Sequence, residues 1–222
     1  MIQQKILSQL IHNKKLRFSD LWDKNVESNK FSYHLKKLEE NGLIAKTEEH
    51  YSLTSKGKSF AVYLEGETGQ QKKQPLNVTV IVPIKNDELL MHQRLKEPFH
   101  GYWGFVAGKQ KFEVPLSKTA EEELEEEAGL IGNVEYKGLL STRTFNNDEL
   151  SYHHNLHVFK CENPIGELKN ECREGKNEWM KLGEIGELKV FPDIQNIIKI
   201  ALNKKQTYLE QDRYQKNDEF LN

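Results

Sequence analysis

Residues 108–130 of this 222-residue chain read GKQKFEVPLSKTAEEELEEEAGL. Six of the seven positions from 121 to 127 are glutamate. On a helix Glu123, Glu126 and Glu127 stand at i, i+3 and i+4, so their carboxylates share one face. Leu124 and Ala128 mark the buried side. Three carboxylates on one face suit a hard cation such as Mg²⁺, and the alternative interpretation is an acidic face that only meets solvent.

The sequence on both sides of this helix alternates strand and helix patterns. Val78, Val80, Val82 and Ile84 stand at every second position, as on one face of a strand. Further strands are predicted over residues 89–93, 136–144, 152–159 and 179–182, and a terminal helix over 191–202. This mixed order predicts an α+β or α/β domain in which helices cover a sheet.

The glutamate-rich stretch resembles the Nudix box, G-x5-E-x7-R-E-U-x-E-E-x-G-U, in which U is aliphatic. The matching positions are Gly108, Glu123, Leu124, Glu126, Glu127, Gly129 and Leu130. Upstream, LLMHQR at 89–94 and GYWGFVAGK at 101–109 look like the strand and loop that precede such a box. The resemblance covers the whole second segment and implies a Nudix α/β/α sandwich with a mixed sheet.

Two positions depart from the family pattern. Val114 stands where the box has its first glutamate, and Glu113 comes one residue early. Glu122 stands where the box has an arginine, which in the family pairs with a carboxylate and orients the metal-binding glutamates. A glutamate there reverses the charge, so we expect repulsion within the glutamate cluster and raised pKa values for some of its members.

The resemblance also implies a mechanism and its residues. Mg²⁺ or Mn²⁺ is held by Glu123, Glu126 and Glu127, with Gly108 at the same site. The metal activates a water that attacks phosphorus and splits a nucleoside diphosphate linked to another group. The expected catalytic residues are Glu126, Glu127 and Glu174.

The general base and the substrate contacts stay open at this point. The base is either a box glutamate or one of the loop acids, and the loop candidates are Glu171, Glu174 and Glu178. Arg94 is a candidate phosphate ligand, with an ordinary surface arginine as the alternative. The candidates for stacking on a base are Trp103, Phe105 and Tyr152, of which we expect at least two to pack in the core instead.

The first 66 residues resemble a winged helix-turn-helix domain. The similarity lies in FSYHLKKLEENGLI at 31–44 and in the hairpin that ends in YSLTSKG at 51–57. Ser28 is the expected N-cap of a third helix, which in that fold enters the DNA major groove. The candidate DNA contacts are Asn29, Lys30, Ser32, Tyr33, Lys36 and Lys37. Their alternative is a solvated helix face, and such domains also serve in dimerisation.

Charge and composition divide the chain and limit its class. Residues 1–66 carry a net charge of +3 and residues 67–222 a net charge of −5. We predict a winged-helix domain at 1–66, a linker at 67–75, a Nudix domain at 76–202 and a polar C-terminal tail at 203–222. With 36% hydrophobic and 30% charged residues, no long apolar run and no signal-like N-terminus, we expect a cytoplasmic protein without membrane contact. Cys161 and Cys172 are expected to be reduced thiols.

Two functions compete at the level of sequence. The first is a Nudix hydrolase whose winged helix serves homodimerisation or DNA targeting. The second is a transcriptional regulator in which an altered Nudix domain senses a nucleotide-like metabolite and the winged helix binds double-stranded DNA. The altered box favours the regulator, whereas the retained glutamate triplet favours the hydrolase. We favour the hydrolase, because the triplet is what the chemistry needs most.

Overall fold

The computed structural model describes residues 2–216 and 219–221. The chain divides into two compact units, Met1–Lys73 and Gln74–Asn222, and each is described by itself. The division falls within residues 67–75, which the sequence predicts to be a linker. In the part of the chain that the structure describes, no helix is long and apolar enough to cross a membrane.

The first unit combines four helices with a small antiparallel sheet of order β1-β3-β2. Phe31, Leu35 and Leu38 bury one face of the third helix, as its spacing predicts. The predicted N-cap Ser28 is instead the first helical residue, and Glu27 occupies the cap. The elements are α1 (Ile2–His12), β1 (Leu16–Arg17), α2 (Phe18–Leu21), α3 (Ser28–Glu40), β2 (Ile44–Thr47), β3 (His50–Leu53) and α4 (Ser55–Ala61).

The second unit is built on a curled mixed sheet. Its strands run in the order β12-β5-β4-β10-β9-β13-β14, with β6 paired to β5 and β7 paired to β4. The strands are β4 (Leu76–Lys85), β5 (Glu88–Arg94), β6 (Trp103–Gly104), β7 (Val106–Lys109), β8 (Leu130–Ile131), β9 (Val134–Asn146), β10 (Glu149–Glu162), β11 (Ile165–Gly166), β12 (Gly175–Lys181), β13 (Thr207–Lys216) and β14 (Glu219–Phe220). The helices are α5 (Leu116–Ala128), a 3₁₀ turn at Ile185–Glu187 and α6 (Ile194–Leu202).

The two longer helices cover opposite faces of this sheet. Along β4, Ile81 packs in the cluster that contains Leu124 of α5, whereas Val80 and Val82 pack in the cluster that contains Ile197 of α6. The alternation follows from the two-residue period of a strand. The fold is therefore the helix–sheet–helix sandwich with a mixed sheet that the sequence predicts.

The C-terminal segment differs from its prediction. Residues 203–222 were expected to form a polar tail, but β13 pairs in parallel with β9 over Thr207–Gln215. Arg213 and Gln215 on this strand are buried. Their side chains are polar, so the strand has an inward face without the apolar alternation that identifies a strand in sequence. Residues 217, 218 and 222 of the predicted tail lie outside the described residues.

Candidate active site

A groove of about 800 Å³ opens on the second unit, between α5 and the edge where β5 meets the loop after it. One end is charged and the other is aromatic. The charged end is lined by His92, Arg94, Lys96, Lys111, Glu123, Glu127 and Glu174. The aromatic end is lined by Phe99, Tyr152 and Phe191, together with His154, Asp193 and Arg213.

Glu127 is the most buried acid at the charged end. Its side chain is only 9% exposed, and Oε2 has no hydrogen-bond partner. Burial raises the pKa of this carboxyl, and the positive charge of Lys96 and the Ala107 N–H oppose the rise. A buried carboxylate oxygen without a partner is costly. It is therefore a position at which a bound cation would be favourable.

Glu123 lies one helical turn before Glu127 and faces the same groove. Burial and the charge of Glu127 both raise its pKa. Gly108 on β7 makes this position possible, since a Cβ there would stand 2.0 Å from the Glu123 Cδ. The Gly108 carbonyl accepts a hydrogen bond from Thr79 Oγ1 at 3.2 Å. The structure thus brings together two predicted metal ligands and the glycine that opens the box.

Glu126, the third predicted ligand, is turned differently. Its side chain is 64% exposed, and its Oε1 lies 3.6 Å from Lys111 Nζ. Among the described residues, no three His, Cys, Asp or Glu side chains stand close enough together to hold a metal ion as they are placed. The donor chemistry nevertheless fits a divalent cation, because two half-buried or buried carboxylates repel each other and one oxygen has no partner.

A buried network that the sequence did not indicate supports Glu127. Asn177 Nδ2 donates to the carbonyls of Glu127 and Lys169 at 2.8 and 2.7 Å. Its Oδ1 is then free to accept from His92 Nδ1, 2.8 Å away. His92 Nε2 is left facing Glu127 Oε2 at 3.9 Å. The pKa of His92 is lowered by burial, so a neutral imidazole faces the acid.

The sequence of this unit matches a known family. Residues 74–199 match the family model described as "NUDIX domain", which is more than half of the chain. The chain belongs to the Nudix family. Residues 2–64 match a second family model, described as "Domain of unknown function (DUF7347)". None of the curated proteins matches the chain in sequence.

Solved structures of Nudix proteins share the fold of the second unit. The mutator MutT protein of Bacillus halodurans is 27% identical, with a TM-score of 0.56 over 66% of this chain and 95% of that one. The MutT Nudix hydrolase of Burkholderia pseudomallei is 19% identical, with a TM-score of 0.52 over 59% and 100%. The Nudix domain of Shewanella oneidensis NrtR, solved with ADP-ribose, is 15% identical, with a TM-score of 0.52 over 67% and 97%. The last two similarities show the fold alone.

Glu174, the predicted loop acid, lies at the groove of the Nudix domain. It forms an ion pair with Lys96 on the facing loop. The other two loop candidates are exposed and do not line the groove. Glu171 is in an isolated bridge to Lys176, and Glu178 lies on β12. Of the three, Glu174 alone is therefore placed where a substrate could reach it.

The predicted substrate contacts divide between the groove and the core. Arg94 lines the groove, but its guanidinium also donates to the carbonyls of Pro98 and Glu97 at 2.6 and 3.2 Å. Trp103 is 6% exposed and packs in the α6-side core. Phe105 is equally buried, although its edge reaches the groove wall. Tyr152 is the predicted aromatic residue that is open to the groove.

Asp193 and Arg213 form a buried ion pair at the aromatic end, with an N–O distance of 3.3 Å. Arg213 Nε also donates to Thr144 Oγ1 at 2.9 Å. Asp193 Oδ1 has no hydrogen-bond partner. Neither residue was predicted from sequence, because Arg213 lies in the segment expected to be a polar tail and its pair with Asp193 forms only when that segment folds as β13.

The predicted DNA contacts lie on the solvent side of α3 in the first unit. Lys37 differs from the rest, since it pairs with Glu40 at 2.7 Å and is only half exposed. Tyr33 lies below the Lys37 ammonium, 5.8 Å from ring centre to Nζ. The exposed members of the set are Asn29, Lys30, Ser32, Tyr33 and Lys36.

Proposed function

We propose that the Nudix domain hydrolyses a nucleoside diphosphate linked to another group, with Mg²⁺ or Mn²⁺ as the cofactor. The observation that carries the proposal is the buried Glu127 carboxylate, with one unpartnered oxygen, beside Glu123 at the charged end of the groove. A divalent cation would supply the missing partner and relieve the repulsion between the two acids. Glu126, the next acid on the same helix face, completes the ligand set after a side-chain rotation.

The chain's own residues supply the rest of the chemistry. When bound, the cation activates a water and neutralises charge on the diphosphate. Lys96 and Arg94 stand on the same wall and bind phosphate oxygens. Once a phosphate engages Lys96, Glu174 loses its ion-pair partner and accepts the proton of the attacking water. This assigns Glu174 the role of general base.

The aromatic end of the groove receives the nucleoside. Tyr152 and Phe99 are in edge-to-face contact, with ring centres 5.7 Å apart, and both line the wall. An aromatic base can pack against such rings. With the nucleoside at this end, the diphosphate would extend toward Lys96 and Arg94, beside the cation that Glu123 and Glu127 would hold.

The test is hydrolysis by the full chain with Mg²⁺ or Mn²⁺ on NDP-sugars, dinucleoside polyphosphates, NAD(H), ADP-ribose and NTPs. Wild type should turn over at least one class, and Glu127→Gln should remove turnover while the melting curve stays cooperative. The double variant Val114→Glu/Glu122→Arg, which restores the family box, is run beside them. Silence of wild type together with activity of the restored variant would reject the hydrolase and favour a sensing role.

A second candidate function is regulation of transcription through the first unit. Its element order, α1-β1-α2-α3-β2-β3, and the exposed lysines on α3 favour a winged helix that binds double-stranded DNA. In that case the Nudix domain binds a nucleotide-like metabolite that changes DNA affinity. The net charge of +3 on residues 1–66 is small for such a role.

DNA binding is tested by charge reversal on α3. Lys36→Glu should weaken duplex binding and reduce its salt dependence, because each phosphate contact releases counterions. Lys58→Glu on α4 is the matched control, since it makes the same charge change at another exposed lysine. Equal losses in the two variants, or no duplex binding by wild type at low salt, would reject α3 as a recognition helix.

A further inference from the structure

The altered box lacks the charge pair that joins helix and loop in the family pattern. In the family pattern the helix carries an arginine and the preceding loop a glutamate, whereas this chain has Glu122 and Val114. We infer that Lys111 replaces the missing partner, so that a Lys111–Glu122 ion pair of reversed polarity positions the metal-binding face of α5. The inference rests on the proposed metal-dependent function and names Lys111 as a positioning residue.

The Lys111–Glu122 contact joins the loop before α5 to the helix position at which the family pattern has its arginine. Lys111 lies in the segment between β7 and α5, and its Nζ stands 2.9 Å from Glu122 Oε2. The loop holds Lys111 in place through two backbone hydrogen bonds, Gln110 N–H to the Asn77 carbonyl at 3.0 Å and Val114 N–H to the Lys111 carbonyl at 3.3 Å. The turn therefore directs the lysine back over the helix.

Glu113, the acid one residue before the position of the family's glutamate, does not contribute to this contact. Glu113 adopts a left-handed backbone conformation, with φ of 68°, and its side chain is exposed. Val114 has no charge with which to hold an arginine or to repel Glu122. Of the residues in the turn from 111 to 114, the cation is Lys111, three positions before the family's glutamate.

Lys111 also approaches the metal-binding face itself. Its Nζ is 3.6 Å from Glu126 Oε1, and the residue lines the groove beside Glu123. Glu122 thus has a positively charged partner outside the glutamate cluster. The opposite role is also testable: a lysine that merely occupies the acids would compete with the metal, and its removal would tighten metal binding.

The first experiment measures Mn²⁺ affinity of the full chain without substrate, by the electron paramagnetic resonance signal of free Mn²⁺. Lys111→Met should weaken Mn²⁺ binding about tenfold to a hundredfold, the range for residues that orient metal ligands. Lys118→Met is the matched control. It removes a lysine that pairs with Glu121 at 3.4 Å on the same helix and should leave the affinity unchanged.

Two combined variants separate a positioning pair from a simple charge effect. Lys111→Glu alone should lose Mn²⁺ affinity, and adding Glu122→Lys should restore it to within about threefold of wild type, because the pair is re-formed with its charges exchanged. In the Val114→Glu/Glu122→Arg background, Lys111→Met should have no effect. In the otherwise wild-type chain, Lys111→Met should lower kcat by a larger factor than it changes KM.

The outcomes distinguish the inference from the function on which it rests. A wild type that binds Mn²⁺ while Lys111→Met binds equally well or more tightly would overturn the positioning role and leave the hydrolase standing. Failure of the exchanged pair to recover affinity, with an unchanged melting temperature, would do the same. A wild type that neither binds Mn²⁺ nor hydrolyses any substrate of the panel would overturn both.

Discussion

The position of Glu127 favours a bound cation and is unfavourable for the stability of the metal-free protein. Its carboxylate is buried, one oxygen has no partner, and Glu123 adds negative charge beside it. Asn177 and His92 hold the surrounding backbone and ring in position, so the acid cannot easily turn to solvent. A site prepared in this way lowers the stability of the empty protein in exchange for orientation of the ligand.

Glu127→Gln should therefore stabilise the metal-free protein at neutral pH, by about 1–3 kcal/mol, because it removes a buried charge without a cation. The folded-state pKa of Glu127 lies above the ordinary value of 4.5. The wild-type penalty consequently grows as pH rises from 4.5 through the raised pKa and disappears below 4.5. Urea unfolding in EDTA across this pH range measures the difference between the two proteins.

Mn²⁺ provides the control for this prediction. It should raise the stability of wild type and leave Glu127→Gln nearly unchanged, since a ligand stabilises only the state that binds it. A variant that is less stable than wild type in EDTA at every pH would contradict the account of Glu127 as a destabilising buried charge.

Strand β13 shows how one element completes both the sheet and the groove. It extends the sheet next to β9 and lies entirely beyond residues 74–199, which match the Nudix family model. Its inward residue Arg213 reaches Asp193 at the start of α6 and Thr144 on β9. The strand is therefore joined to the domain by buried polar contacts as well as by the backbone ladder.

Arg213→Met should destabilise the protein by about 3–5 kcal/mol, because removal of one partner leaves the buried Asp193 carboxyl group without its ion pair. Adding Asp193→Asn should recover part of the loss. Arg143→Met is the matched control, since Arg143 pairs with Asp212 at 2.8 Å at an exposed position where ion pairs contribute little. Denaturant unfolding of the four proteins checks the expectation.

Similar losses for Arg213→Met and Arg143→Met would contradict the structural role of the buried pair. A loss that Asp193→Asn does not reduce would point to the Thr144 contact instead.

At the scale of the whole molecule, the chain joins two compact units with separate cores. Tyr51 and Phe31 belong to the core of the first unit, and the two cores of the second lie on either side of its sheet. The described residues that line the groove run from 76 to 213 and belong to the second unit. Hydrolysis should therefore be a property of the second unit by itself.

A fragment of residues 74–222 should keep kcat/KM within about threefold of the full chain, because a domain with its own core can fold alone. The measurement is steady-state hydrolysis of whichever substrate the full chain accepts, with circular dichroism as the folding control. A folded fragment with no activity would show that the first unit contributes to catalysis. Under the regulatory hypothesis, nucleotide added to the full chain should change duplex affinity.

Much of the Nudix domain was predictable because its signals are local. The 3.6-residue period placed Glu123, Glu126 and Glu127 on one face of a helix, and the two-residue period of 78–84 identified one face of a strand. The fixed spacing from Gly108 to Leu130 then indicated the family. Each of these signals lies within one element, so it can be read without knowing what the element contacts.

Only the tertiary structure decided the contacts that complete the site. Asn177 reaches the Glu127 backbone across 50 residues, Arg213 reaches Thr144 across 69, and Lys111 meets Glu122 across the turn between β7 and α5. The strand that carries Arg213 has a polar inward face and so lacks the apolar alternation that identifies strands. Sequence periodicity records whether a side chain faces the core, whereas a polar pair between distant elements depends on how those elements pack and leaves no local pattern.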